Sequence, residues 1–197
     1  MALRAGVRRR NQRQSDDWHK TPCPAHVDPR LYQQFVDLVK IIDDENVLLG
    51  VIPERTNGLL GDYHPNPNGQ GPRIWLVRCG GGERYGLEGV LAVKNCRFEL
   101  ITLVHEYGHH RSHVDGTRPA IIDEVVKAWQ ANGAIPWEHA ILNIEQEHRA
   151  WDLARRTLTR LGFTEWAAFN MRQAEGIGAH CAYLRAGKRI GELLDGS

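Results

Sequence analysis

The chain has 197 residues, of which 42% are hydrophobic, and its 25 lysines and arginines against 24 aspartates and glutamates leave a net charge of +1. That length suits one domain with a proper core, and the balanced charge excludes the global basic field that advertises a nucleic-acid partner. No run of about 18 apolar residues exists to span a bilayer, and the arginine-rich N-terminus lacks the apolar centre of a secretory signal. The four cysteines, Cys23, Cys79, Cys96 and Cys181, are widely spaced and form no C-x-x-C. They therefore indicate neither a cysteine-rich metal site nor a disulfide framework. Free, mostly buried thiols in the cytoplasm are the expectation.

Residues 1–20 carry Arg4, Arg8, Arg9, Arg10 and Arg13 with almost nothing to bury. They read as a disordered basic tail, the one stretch suited to nucleic acid or an acidic partner. Residues 21–197 are expected to form a single domain. Thr21-Pro22-Cys23-Pro24 is a stiff linker, since neither proline donates a backbone hydrogen bond. Cys23 could reach back to cap a metal, but an incidental linker cysteine outweighs that reading. Asp28-Pro29 is a helix start, and Leu31, Phe35, Leu38, Val39 and Ile42 recur at helical spacing through about Asp44. Val47–Ile52 reads as a short strand. Asn57–Pro72 is dense in Gly, Pro and Asn and reads as a loop. Arg73–Cys79 alternates as a strand, Gly80-Gly81-Gly82 turns the chain, and Gly89–Val93 is a further strand candidate.

The chain then reaches Val104-His105-Glu106-Tyr107-Gly108-His109-His110, which contains H-E-x-x-H. Spacing of four places His105 and His109 on one helical face, one turn apart, where both can hold a single Zn²⁺. Glu106 projects beside such an ion and can act as general base on a water that zinc acidifies to a pKa of roughly 7. The apolar run from Phe98 to Val104 suits a buried helix, predicted from about Arg97 to Val114 with Gly116 as terminator. Histidines inside a buried helix need a partner, and a metal provides one. Downstream, Pro119–Gln130 reads as a helix, Pro136–Leu161 as a long helix ended by Gly162, and Thr164 as the N-cap of another running to about Gly176. One more short helix is expected in the tail.

Catalytic zinc usually takes three protein ligands. Asp115 occupies the last position of H-E-x-x-H-x-x-G-x-x-H, but Ser112 stands where that pattern needs glycine. His113 would stretch three ligands along two turns of one helix. The remaining source is a glutamate on a second helix: Glu124, Glu145 or Glu147. At about 100° per residue, Ile144, Trp151, Ala154 and Leu158 lie within roughly 60° of Glu147, whereas Glu145 points away with Arg149 and Asp152. Glu147 thus sits inside a buried stripe, where an unpaired carboxylate is costly and a metal resolves the cost. Glu124 lies at the edge of its apolar face and is weaker. Tyr107, His180 and Tyr183 are candidate oxyanion donors, with Tyr183 preferred. His110 and His113 are assigned to a polar face or to support of the ligands.

Phe98-x₆-His105-Glu106-Tyr107-Gly108-His109, followed by Glu147-His148-Arg149-Ala150, resembles gluzincin-type metallopeptidases of the bacterial and phage ImmA/IrrE kind. The resemblance covers roughly residues 73–160. It implies a small α+β zincin-like domain, a short sheet packed against the H-E-x-x-H helix and a second helix carrying the glutamate ligand. It also implies zinc-dependent cleavage of a protein, often a regulator. The predicted helix Pro119–Gln130 departs from that pattern, and the N-terminal 70 residues match nothing in it. Two alternatives stay open: a catalytically silent metal-binding regulatory protein, and a zinc amidase or deacylase acting on a small substrate. A substrate strand would add to a sheet edge near Gly89–Val93.

Overall fold

The computed structural model describes residues 22–53, 61–65, 69, 71–78, 96–122, 124 and 137–194, with side chains over 22–50, 61–65, 69, 71–76, 96–122, 124 and 139–182. The basic tail, the strand candidate Gly89–Val93 and most of the predicted helix Pro119–Gln130 lie outside these residues; Ile121, Ile122 and Glu124 are helical. The architecture is α+β. Helix α1 (Pro29–Asp44) leads into strands β1 (Leu48–Pro53), β2 (Gly61–His64) and β3 (Arg73–Arg78). Helices α2 (Cys96–Val114), α3 (Trp137–Arg160) and α4 (Trp166–Leu194) follow. Among the described residues, no helix is long and apolar enough to cross a membrane.

Local sequence sets most boundaries. Asp28 Oδ1 accepts from the backbone N–H of Arg30 (2.7 Å) and Leu31 (3.2 Å), and Pro29 occupies the first turn where its missing N–H is harmless. The C-terminus of α1 closes when Asn46 adopts φ 57° and Val47 N–H returns to Ile42 O at 3.1 Å. This pattern satisfies orphan carbonyls and lays Val47 against the helix it leaves. Gly116 (φ 66°) and Gly162 (φ 69°) end α2 and α3 in the same way, as predicted.

The sheet has the order β1-β3-β2, with β1 parallel and β2 antiparallel to β3. Ile74 and Leu76 of β3 face the core. Strand β2 corrects the loop predicted over Asn57–Pro72. Only four residues long, it has too little alternation to read from sequence, and pairing with β3 supplies its structure.

Helix α2 is the centre of the molecule. Every residue from Leu100 to His110 is buried, so this helix has no solvent face over three turns. It packs against the sheet, α1, α3 and α4. One apolar cluster joins all these elements, from Phe35 and Leu38 of α1 through Ile74 and Leu103 to Trp151, Leu158 and Phe169. A second correction concerns the C-terminal region, where one continuous helix replaces the predicted pair. Its first i→i−4 bond runs from Phe169 N–H to Glu165 O, so it starts just after Thr164 rather than on it. Gly176 and Gly178 lower helix propensity, but packing holds the helix through them. A Cβ on Gly176 would sit 3.2 Å from Cζ2 of Trp151, a closeness only glycine allows without displacement.

Of the described cysteines, Cys96 is buried, Cys181 half-buried and Cys23 exposed, and all three are free thiols. Cys23 therefore departs from the expectation of burial, its Sγ lying 3.8 Å from Val27 O.

Candidate metal centre

His105 and His109 stand one turn apart in the buried centre of α2, with their Nε2 atoms 3.2 Å apart. Glu147 enters from α3 and divides its carboxylate between them. Its Oε2 lies 3.2 Å from His105 Nε2 and its Oε1 3.3 Å from His109 Nε2. Each oxygen faces a different nitrogen, so two nitrogens and two oxygens close a small ring of donors. A tetrahedral ion with ligand bonds of about 2.0–2.1 Å has donor–donor edges of about 3.3–3.4 Å. Each of the three separations is thus close to what two ligands of one such ion would show. The buried Nδ1 atoms of both histidines have no hydrogen-bond partner among the described residues. Neither ring is thus oriented by a competing polar contact on its far side. This is the group of described residues whose donors converge closely enough to hold a metal ion.

The approach of α3 to α2 depends on two small residues. A Cβ built on Gly108 would lie 2.2 Å from the carbonyl oxygen of Ala150 and 2.9 Å from its carbon. Gly108 falls between the two histidines, and Ala150 is one turn beyond Glu147. The absence of a side chain at 108 therefore lets Glu147 reach the histidines at all. The end of α2 is also fastened to α3. Ser112 Oγ donates to Gln146 Oε1 at 3.1 Å, and Arg149 Nη1 donates to Thr117 O at 3.1 Å.

Electrostatics follow from burial. Desolvation would raise the Glu147 carboxyl, but the charge of His109 and hydrogen bonds from both histidines outweigh it and hold the group well below the usual carboxylate range. His105 is pushed down to about 4 by burial, against the pull of Glu147. His109 feels the same desolvation but is raised by the charges of Glu147 and Glu106. The centre is a carboxylate held ionised between two imidazoles, one of them kept neutral.

Glu106 is different. It is 8% exposed, and burial, reinforced by the charges of Glu147 and Asp62 against the pull of His109, pushes its carboxyl up to about 8. Strand β2 passes directly over it. A Cβ on Gly61 would lie 2.5 Å from Glu106 Oε1 and 2.7 Å from its Cγ. Gly61 is thus a residue of the site that the sequence did not disclose. It stands in a Gly/Pro/Asn-rich stretch where one more glycine carries no signal.

The competing ligand candidates fall away by position. Asp115 is exposed and bound to Arg111 Nη2 at 2.8 Å, and Glu124 and Glu145 are exposed. Trp151 stacks on the His105 ring at 4.0 Å with 21° between planes, fixing the imidazole from its flat side. Tyr107 is not an oxyanion donor in this structure, because its hydroxyl donates to Glu45 Oε1 at 2.9 Å. His110 corrects its polar-face assignment. It is buried, its Nδ1 is 3.3 Å from Tyr63 Oη, and its Nε2 is 3.1 Å from Glu45 Oε2 in poor alignment for a hydrogen bond. His113 is exposed. His180 does reach the centre, its Nε2 3.5 Å from Glu147 Oε1. The preferred oxyanion donor, Tyr183, lies on α4 one turn further on, outside the described side chains.

Comparison with family models, curated proteins and solved structures returns no match. The chemistry of this chain is therefore argued from a buried His105–His109–Glu147 group able to bind a metal ion and from the side chains packed around it.

Proposed function

We propose that the protein is a zinc-dependent endopeptidase in which His105, His109 and Glu147 hold the ion and Glu106 moves the proton. One observation carries the reading: two buried imidazoles and a buried carboxylate converge closely enough to share an ion, beside a second buried carboxylate that is not part of the group. The mixed imidazole and carboxylate set suits zinc, and three protein donors leave one position open. When bound, such an ion supplies Lewis acidity, polarising a carbonyl and making water a nucleophile near neutral pH.

The remaining work belongs to the chain. Glu106 accepts the proton that water loses as its oxygen bonds to the scissile carbonyl carbon. It returns that proton to the amine nitrogen as the C–N bond breaks. The charge of a bound ion beside it would favour the ionised carboxylate that accepts this proton, whereas in the metal-free chain burial raises its proton affinity to about 8. A purely structural metal site has no use for this group, which disfavours a silent binding protein. Strand β2 supports a peptide rather than a small substrate. It is the outer strand of the described three-stranded sheet, bonded to β3 along one edge, and Gly61 lies against Glu106. An extended peptide lying along this strand would run beside the general base. The free thiols of Cys23, Cys96 and Cys181 suit a reducing compartment such as the cytoplasm.

The test has two arms. Protein purified with zinc supplementation should contain about one zinc per chain by elemental analysis, and Glu106→Gln should keep it. In host lysate, newly formed protein N-termini should arise with wild type and be lost with Glu106→Gln or a chelator. Equal cleavage by the variant would remove Glu106 from the mechanism.

A further inference from the structure

Helices α3 and α4 run back along one another, and their contacts form a ladder. At one rung Gly176 lies against the indole of Trp151, whose edge also meets the Phe169 ring at 5.5 Å. One turn further along α4 is His180, and one turn back along α3 is Glu147. A further turn back is Asn143. The ladder thus brings His180 between two side chains of the same α3 face. Its Nδ1 lies 3.3 Å from Asn143 Nδ2, and its Nε2 lies 3.5 Å from Glu147 Oε1.

The chemistry of these contacts has a direction. An amide nitrogen can only donate, so Asn143 Nδ2–H selects the neutral imidazole whose Nδ1 is the acceptor. That tautomer places its N–H on Nε2, the atom facing the ligand carboxylate. Asn143 is buried, so its amide is restrained, whereas His180 is partly exposed. The two ligand histidines lack an orienting partner at Nδ1 among the described residues. Ligand side chains in metal sites are ordinarily held by such outer contacts.

We infer that His180 is a positioning residue for the metal centre: Asn143 fixes its tautomer, and its Nε2–H steers Oε1 of Glu147, setting metal affinity through the carboxylate. This rests on the proposed metal site and extends it to a residue on a third helix. Conformational restraint of a ligand passes from Asn143 through the imidazole to Glu147, and the anchor of the whole relay is the Trp151–Gly176 contact one turn away.

The experiment is a zinc titration of the full chain against a competing chelator. His180→Ala should weaken zinc binding by about 10- to 100-fold, the usual effect of removing an outer partner. His180→Gln, whose amide nitrogen can take the place of Nε2–H, should recover most of the loss. His180→Asn, which places its amide at the Nδ1 position, should not. Asn143→Ala should give a smaller loss, because it frees the tautomer without deleting the donor. The melting temperature of the metal-free His180 variants should match wild type, since His180 stands at the rim. Zinc affinity of His180→Ala within about twofold of wild type would overturn the inference, as would equal losses in the Gln and Asn variants. A wild-type chain that takes up no zinc would instead defeat the metal site itself, so the two failures are told apart.

Discussion

Helix α2 carries two groups of histidine and acid, and among the described residues only one of them converges closely enough that it could hold a metal ion. On one side, the imidazoles of His105 and His109 converge on the carboxylate of Glu147, with nitrogen–nitrogen and nitrogen–oxygen separations of 3.2, 3.2 and 3.3 Å. On the other, Glu45 at the end of α1 meets Tyr107, His110 and Arg111. There one carboxylate oxygen is already occupied: Oε1 accepts from Tyr107 Oη at 2.9 Å and from Arg111 Nη1 at 2.8 Å, while Oε2 lies 3.1 Å from His110 Nε2 without a hydrogen bond. His110 is engaged by Tyr63, and burial lowers its proton affinity despite Glu45. Residue types are nearly the same in both groups. The difference lies in whether the donors are used up by partners within the protein or converge with none between them. Donors engaged in place fasten elements together, and converging ones could hold a metal ion.

If that distinction is right, the largest effect belongs to Glu147. Glu147→Ala should reduce zinc affinity by orders of magnitude, because it deletes a third of the donor set. Glu147→Gln should do nearly the same while leaving the fold intact. Glu145→Ala, on the exposed side of the same helix, should stay within about ±0.5 kcal/mol in stability and leave metal binding unchanged. Chelator competition and thermal melts read both. Zinc retained by Glu147→Ala would end the comparison at once.

Next in size is a pH effect at Glu106. Its folded-state carboxyl is raised from 4.5 to about 8, so the folded chain holds a proton that the unfolded chain has released between those values. The associated stability is fully present below pH 4.5 and is lost as pH rises through about 8. His105, lowered to about 4, acts in the opposite sense below pH 6.5, so the measurement must be a difference against Glu106→Gln. In metal-free protein the amide variant should gain on wild type by on the order of 3 kcal/mol between pH 5 and 9. A melting-temperature gap that does not change with pH would mean that Glu106 is ionised in the fold.

Gly108 tests the helix contact that brings the two halves of the centre together. Gly108→Ala places a methyl 2.2 Å from a backbone oxygen, which no rotamer change can relieve. Overpacking of this kind usually costs about 1–3 kcal/mol, and here it should also draw Glu147 away from the histidines. Loss of zinc affinity together with stability is the expected result. Loss of stability alone would show that the Glu147 side chain has slack to follow.

Much of this centre was legible in the sequence because helices convert spacing into direction. A separation of four set His105 beside His109, and apolar residues at Trp151, Ala154 and Leu158 gave Glu147 its inward phase while Glu145 faced out. Glycines were legible where they ended helices, at Gly116 and Gly162. They were not legible where they yield space, because Gly61 and Gly108 act only through what another segment brings to them. Strand β2 was lost for the same reason: four residues in a turn-rich stretch become a strand through pairing with β3. The continuity of α4 past Gly176 was hidden because its indole neighbour lies 25 residues away in sequence.

The smallest effect is also the one that separates the two sides of α2 most cleanly. Glu45→Ala removes the acceptor shared by Tyr107 and Arg111 and so unfastens the end of α1 from α2. Glu45 is 28% exposed at its side chain, so water can replace part of what is lost, and the expected cost is about 1 kcal/mol. Glu45→Gln should cost less, since its amide oxygen can still accept from Tyr107. Neither variant should alter zinc affinity, because none of the three metal donors touches Glu45. Urea melts and chelator titration of the same samples give both numbers. A fall in zinc affinity comparable to that of His180→Ala would show that the two groups are coupled through α2, and that the acid cluster orients the metal ligands as well as fastening the fold.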